Sequence, residues 1–438
     1  MTLISSEGIS GITSFTSSGD GLDFSSKSLT GLSGVNVSGA MSATSFSGDG
    51  SSLTGIGSTD NIRTNTNATF LQNMNIVGGG ITVGNTTINS HSVGFGTTTT
   101  TGRDAGINTT TGTLIYNADT QQVEVFDGTQ WVGGLTTPFS ATGGTEDTTS
   151  RSGYKVHTFT SPGSFVASGA PKTCEYLIIA GGGAGAGGNG GGGGAGGYRT
   201  STSFEVSAGT YTIQVGGGGA PVTNFSPSTR MGENGTPSFI TNPGISSITS
   251  TGGGGGGAGP SSFPSGNPGG SGGGGGADGK PVGTGGSGNA GGYPTPEGNP
   301  GGDGHSITGV NKSASGGGGG AGGAGNNGSP YPTPVPSSSG GDGGNGQASS
   351  ITGTSVTRAG GGGGGGITQA PAAIGPGAGG PGGGGTGGSS YYSGGWIAVQ
   401  AATAGTTNTG GGGGGLSGPA GGNTAGGSGI VIIAYPTS

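Results

Sequence analysis

The sequence predicts an all-β, fibrous protein, essentially without α-helix, that ends in a domain of packed extended glycine helices. Three observations predict it. Glycine supplies 123 of 438 residues and falls in runs of up to seven, which excludes the strict three-residue period of collagen. Only 26% of the residues are hydrophobic and 7% charged, too little apolar material for the side-chain core of a conventional enzyme of this length. The apolar residues come in short bursts between Ser, Thr, Asn and Gly, the pattern of brief strands joined by turns.

The first element, residues 1–111, carries a degenerate repeat. "SGDGLDFSSKSLTGL" from Ser18 matches "SGDGSSLTGI" from Ser47. Asp-Gly is a turn signal because glycine accepts positive φ and the Asp side chain bonds nearby backbone. Strands this thin bury almost nothing alone and gain stability by stacking on neighbours or on other chains. A shaft or attachment region is the expectation.

The second element, residues 112–180, is the most globular. Leu114–Tyr116 and Val123–Phe126 read as strands paired around an Asn-Ala-Asp-Thr turn, and Trp131-Val132 begins a third. "YKVHTFTSPGSFV" from Tyr154 and "EYLIIA" from Glu175 add strands that lead onward.

The third element begins where glycine content jumps. Residues 1–180 hold 28 glycines and residues 181–438 hold 95. Three repeats start at Gly232, Gly301 and Gly340, each with Gly-x-x-Gly, a Ser/Ile/Thr segment and a glycine run. Glycine- and serine-rich sequence otherwise reads as flexible linker. Here, however, the runs recur at similar lengths, and apolar segments such as "YTIQV" and "IVIIAY" separate them. A helix of the polyproline II type has three residues per turn and no internal hydrogen bonds. Side by side without Cβ atoms, such rods can bond laterally, and backbone replaces the apolar core. Five to seven residues at ~3.1 Å each make rods of about 16–22 Å.

Little enzymatic chemistry is on offer. Cys174 is the one cysteine, and His91, His157 and His305 are dispersed, so no zinc set of about four ligands is expected. GxGxxG patterns carry no information at this glycine content. The segment ending Gly279-Lys280-Pro281 brushes a P-loop pattern, but proline stands where Ser or Thr would hold magnesium. A glycosidase needs two carboxylates beside the scissile bond. The glycine-rich domain offers Glu205, Glu233, Asp278, Glu297, Asp303 and Asp342. Asp303 and Asp342 occupy the same place in "GGDG" repeats, which reads as turn chemistry. No catalytic residue, metal or cofactor is assigned. A net charge of −7 without a basic stripe disfavours nucleic acid. No signal peptide or membrane-spanning helix is expected from the apolar pattern, and synthesis in the cytoplasm is.

Aromatic residues are the informative ones. Tyr293, Tyr331, Tyr391, Tyr392 and Trp396 concentrate in loops between glycine runs, with Phe263 in a weaker loop. Tyr and Trp give large contact area at low entropic cost and stack on sugar rings.

Runs such as "YLIIAGGGAGAGGNGGGGGAGGYRT", "GTYTIQVGGGG" and "GGSGIVIIAYP" resemble the glycine-rich domains of bacteriophage tail fibres and adhesins, common among marine and cyanobacterial phages. "SATSFSGDGSSLTGI" and "GTLIYNADTQQVEVFDGTQWVGG" resemble segments of phage fibre and virion structural proteins. The resemblance covers nearly the whole chain. It implies a polyglycine II sandwich in residues 181–438 whose loops contact a host-surface protein or polysaccharide. It also implies an N-terminal region that trimerises and joins other virion proteins, placing the protein in a virion tail fibre. Two alternatives stay open: a purely structural shaft, collar or capsid decoration, and a polysaccharide depolymerase.

Overall fold

The computed structural model describes Asn36, Ser38 and residues 97–437, apart from 107–109, 135–137, 223–229, 260–263, 278–281, 308–311, 330–339, 370–374, 419–420 and 423. The chain divides into two units, Met1–Val93 and Gly94–Ser438, and every element below belongs to the second. The repeats expected near Ser18 and Ser47 lie outside the described residues.

A small sheet comes first. β1 (Thr97–Thr98), β2 (Leu114–Asn117), β3 (Gln122–Phe126) and β4 (Trp131–Gly133) lie in that order. The expected hairpin is present: Asn117 pairs with Gln122 across the turn. One five-residue helix, α1 (Thr100–Asp104), starts at Thr99, whose hydroxyl accepts from the Gly102 amide at 3.1 Å. It is the one α-helix among the described residues, in keeping with a fold essentially without helix.

A β-sandwich follows. Its strands are β5 (Ser140–Thr142), β6 (Thr145–Asp147), β7 (Tyr154–Phe159), β8 (Gly163–Ser168), β9 (Lys172–Ile179), β10 (Tyr198–Val206), β11 (Gly209–Gln214), β12 (Ser238–Asn242) and β13 (Ile245–Ser250). Five further short strands form elsewhere: β14 (His305–Ile307), β15 (Lys312–Ala314), β16 (Gln347–Ser349), β17 (Val356–Arg358) and β18 (Gly366–Gln369). They are followed by β19 (Ser389–Tyr392), β20 (Trp396–Gln400) and β21 (Ile430–Pro436). One sandwich sheet has the order β10-β9-β21-β7-β6 and the other β13-β12-β11-β8-β5.

Between these sheets lie Phe165, Tyr211, Ile213 and Ile240 from one side and Cys174, Tyr176, Ile178, Val431 and Ile433 from the other. The alternate residues of β9 and β21, Leu177, Ile179, Ile430 and Ile432, are buried on the opposite face. A strand covered on both faces must be apolar at every position. That is why "YLIIA" and "IVIIAY" are continuous apolar runs.

Between β9 and β21 the glycine-rich chain folds into parallel and antiparallel rods. Along 180–187 the amide donors change partner with a period of three. Ala180, Gly183 and Ala186 donate to Gly197, Gly194 and Gly191. Gly181 and Ala184 donate to Thr236 and Glu233, and Gly182 and Gly185 to Gly427 and Thr424. Carbonyls of the same rod accept from Gly253 and Gly256, from Gly219, and from Gly413 and Leu416. Three residues per turn rotate successive amides by a third of a circle, so an interior rod is bonded to six neighbours. Rods 190–197, 315–321 and 360–366 follow the same rule. These are polyglycine II helices, and the core of the stack is backbone.

Side chains are excluded for a steric reason. A Cβ on Gly193 would overlap the Gly183 carbonyl, one on Gly362 that of Gly413, and one on Gly318 that of Gly193. Alanine occurs where a methyl finds other company: Ala195 and Ala359 pack against the underside of β9 and β21.

The three sequence repeats are each a short rod, a β-hairpin and a longer rod. Their hairpins are β12–β13, β14–β15 and β16–β17. Each rod crosses the stack, so the hairpins alternate between its ends. β12–β13 joins the sandwich, while β14 and β15 enter a third five-stranded sheet, β14-β15-β18-β19-β20. That sheet closes the end of the stack away from the sandwich. The boundary at Ala180 therefore marks a change from strand to rod, and segments on both sides of it share the sandwich core.

Candidate functional site

The structure divides the aromatic candidates between the two ends of the rods. Tyr391, Tyr392 and Trp396 sit on β19 and β20 at the end away from the sandwich. Tyr391 pairs with Ile397 and Tyr392 with Trp396. Tyr391 is half-buried. Beside it, Ile397 and Val399 are 41% and 50% exposed on β20, the outermost strand of its sheet. Ser390 and Ser417 bond at 2.9 Å underneath, and Ser417 also donates to the Gly366 carbonyl at 2.6 Å, tying the sheet to the rod ends. Phe263 and Tyr331 lie outside the described residues.

Tyr293 is at the other end. It belongs to the turn before Glu297 and lines a cavity of about 500 Å³ between β10 and β16. The wall includes Tyr176, Tyr198, Arg199, Pro294, Gln347 and Ser349. The Arg199 guanidinium lies 3.9 Å from the Tyr293 ring centroid and donates to the Thr249 carbonyl at 2.7 Å. Glu297, also in the wall, is 1% exposed. Its carboxylate accepts from the Thr251 amide at 2.9 Å and the Gly291 amide at 3.3 Å, with the Ser250 hydroxyl 3.4 Å away. It thus anchors the Tyr293 turn to the rod that starts at Thr251. Arg199 forms no ion pair among the described residues.

Of the residues in this wall, Tyr293 stands out in the sequence, whereas Tyr176, Tyr198, Arg199 and Gln347 do not. One local signal was present: "GGYRTS" places Tyr198 and Arg199 directly after a glycine run, where a rod ends and side chains return.

Four of the six carboxylates, Glu205, Glu297, Asp303 and Asp342, bond within the scaffold. Asp303 accepts from the Gly285 amide at 2.8 Å, and Asp342 accepts from the Ala378 amide at 2.7 Å. Their equivalent places in the repeats reflect one task, satisfying a donor of an adjacent rod, rather than the turn chemistry expected of them. Glu205 takes a hydrogen bond from the Thr173 hydroxyl. Asp278 and His91 lie outside the described residues. Among the described residues no three of His, Cys, Asp and Glu gather into a metal-binding group, and no helix is long and apolar enough to cross a membrane.

His157 and Cys174 belong to the sandwich core. His157 is fully buried, with Nδ1 2.8 Å from the Gly143 carbonyl and Nε2 without a partner. Burial holds its pKa below the ordinary histidine value. Burial also pushes the Cys174 thiol up to about 12, which leaves it unreactive.

A comparison with curated proteins yields no match. Residues 158–436 match the model of a family described as a glycine-rich domain, a span that takes in the sandwich from the end of β7 onward, every rod and the closing strand β21. The chain belongs to this glycine-rich domain family.

Proposed function

We propose that the chain is a bacteriophage tail-fibre or adhesin protein that binds a host-cell surface through the end of its rod stack away from the sandwich. One observation carries this reading. In a chain so poor in apolar residues, Ile397 and Val399 stand exposed on an outermost strand beside Tyr391. The glycine-rich body receives the chain at β5 and ends at Pro436, both in the sandwich. β19 and β20 stand at the opposite end, away from both β5 and β21. The β-repeats of residues 1–111 join three chains and attach them to other virion proteins. Three tips on one shaft bind by avidity, so weak single contacts suffice.

The sequence resemblance supports the same reading. The alternative, a shaft, collar or decoration protein without a receptor, is favoured if other virion proteins cover Tyr391 and Ile397. The test is co-sedimentation of the full chain with a panel of marine cyanobacterial strains. Saturable binding to some strains is expected, reduced at least tenfold by Tyr391→Ala with Ile397→Ser. Saturable binding that this variant leaves unchanged would contradict the tip assignment. Binding to no strain would favour the structural alternative.

A further inference from the structure

We propose that the cavity between β10, the Tyr293 turn and β16 is a binding site for one acidic sugar unit, a carboxylated pyranose such as a hexuronate. The cavity volume of about 500 Å³ falls within the usual range for small-ligand sites. Its wall combines two tyrosine rings (Tyr198, Tyr293) with Thr200, Gln347 and Ser349. Flat rings beside hydroxyl and amide groups match a pyranose, which is apolar on its face and polar around its edge.

Arg199 specifies the charge. Its guanidinium is held on one side by the Tyr293 ring and at one nitrogen by the Thr249 carbonyl. Five N–H donors radiate from a guanidinium, and Thr249 accepts from one nitrogen only. No carboxylate neutralises it among the described residues. Glu297, the acid in the same wall, is committed to the amides of Thr251 and Gly291. A pre-oriented guanidinium without an acidic partner takes a carboxylate bidentately, with geometric selectivity that a lysine lacks. The cation–π contact fixes the ring and the charge relative to each other. This site lies at the opposite end of the rods from Tyr391 and does not depend on the proposed tip.

The test is calorimetric titration of the full chain with glucuronate, galacturonate, glucose and inorganic phosphate. At least one uronate binds with a Kd near 1 mM or below, glucose binds at least tenfold more weakly, and phosphate does not displace the uronate. Arg199→Gln and Tyr293→Ala each weaken uronate binding at least tenfold, and Arg199→Lys restores only part of the loss. Gln347→Ala, at an exposed hairpin position, weakens it about threefold with unchanged thermal unfolding. That variant keeps the test open if Arg199→Gln does not fold. Tyr391→Ala leaves uronate binding unchanged. Equal binding of uronate and glucose, displacement by phosphate, no uronate binding, or full binding by a folded Arg199→Gln protein would each overturn the proposal.

Discussion

Ile179 and Ile430 stand opposite each other in adjacent antiparallel strands, although 250 residues of mostly glycine-rich chain separate them. The chain leaves the sandwich at β9 and returns to it at β21 in register. Everything between is therefore a closed excursion whose two ends are clamped by the most apolar strands in the protein. This clamp orients the first and last rods, and the hydrogen-bond period of three propagates that orientation through the stack.

Rod glycines are irreplaceable where six neighbours surround them. Gly193→Ala puts a methyl into the Gly183 carbonyl, with backbone on every side and nothing flexible to yield. Overpacking ordinarily costs about 1–3 kcal/mol, and a backbone clash lies at or above the top of that range. Gly323→Ala meets its nearest atom, the Asn345 amide nitrogen, at 3.6 Å, and is expected within about 0.5 kcal/mol of the parent. Denaturant unfolding of the two variants measures the contrast. Equal stabilities would mean that the stack is looser than the steric argument requires.

His157 makes stability depend on pH. Burial disfavours its charged form, with Lys155 adding to the effect and the Gly143 carbonyl and Glu146 opposing it. The folded pKa therefore lies below the ordinary value of about 6.5. The unfolded chain binds the proton more readily, so stability is complete above that value and falls as pH drops below it, by up to about 1.4 kcal/mol per pH unit. Unfolding midpoints at pH 7.5 and pH 5 check this. His157→Gln should flatten the slope in that window.

Cys174 reports on the sandwich. It is fully buried between the sheets and its thiol is pushed up to about 12. A thiol reagent at pH 8 should leave the native protein unmodified and label it stoichiometrically in denaturant. Rapid native labelling would show that the core between β9 and β11 opens.

Much of this was legible in the sequence because the local signals were strong. β2 and β3 pair around the expected turn, and "IVIIAY" reads as a strand since both its faces are buried. Long glycine runs read as rods by their equal lengths. The end on which each loop falls was not legible. Every rod carries the chain across the stack, so the parity of preceding rods decides it. Some rods are disguised: residues 297–304 hold Asn299, Pro300 and Asp303 among their glycines, yet the amides of Asn299, Gly301, Gly302 and Gly304 donate to neighbouring rods. Tyr293 and Tyr391 look alike in sequence and fall on opposite ends for this reason. The Arg199 cavity joins segments near residues 176–200, 293–297 and 347–349, which only rod packing brings together.

Amide hydrogen exchange at the interior rods distinguishes an ordered backbone core from flexible glycine chain. Glycine backbone, bonded in a six-neighbour lattice, takes the place of a side-chain core. Gly183, Gly193, Gly318 and Gly362 each donate a bond of 2.8–2.9 Å to a neighbouring rod and should exchange only with global unfolding, alongside Ile178 and Ile432 of the sandwich. Exchange of these glycines at the rate of an unstructured chain, while the sandwich amides stay protected, would contradict it.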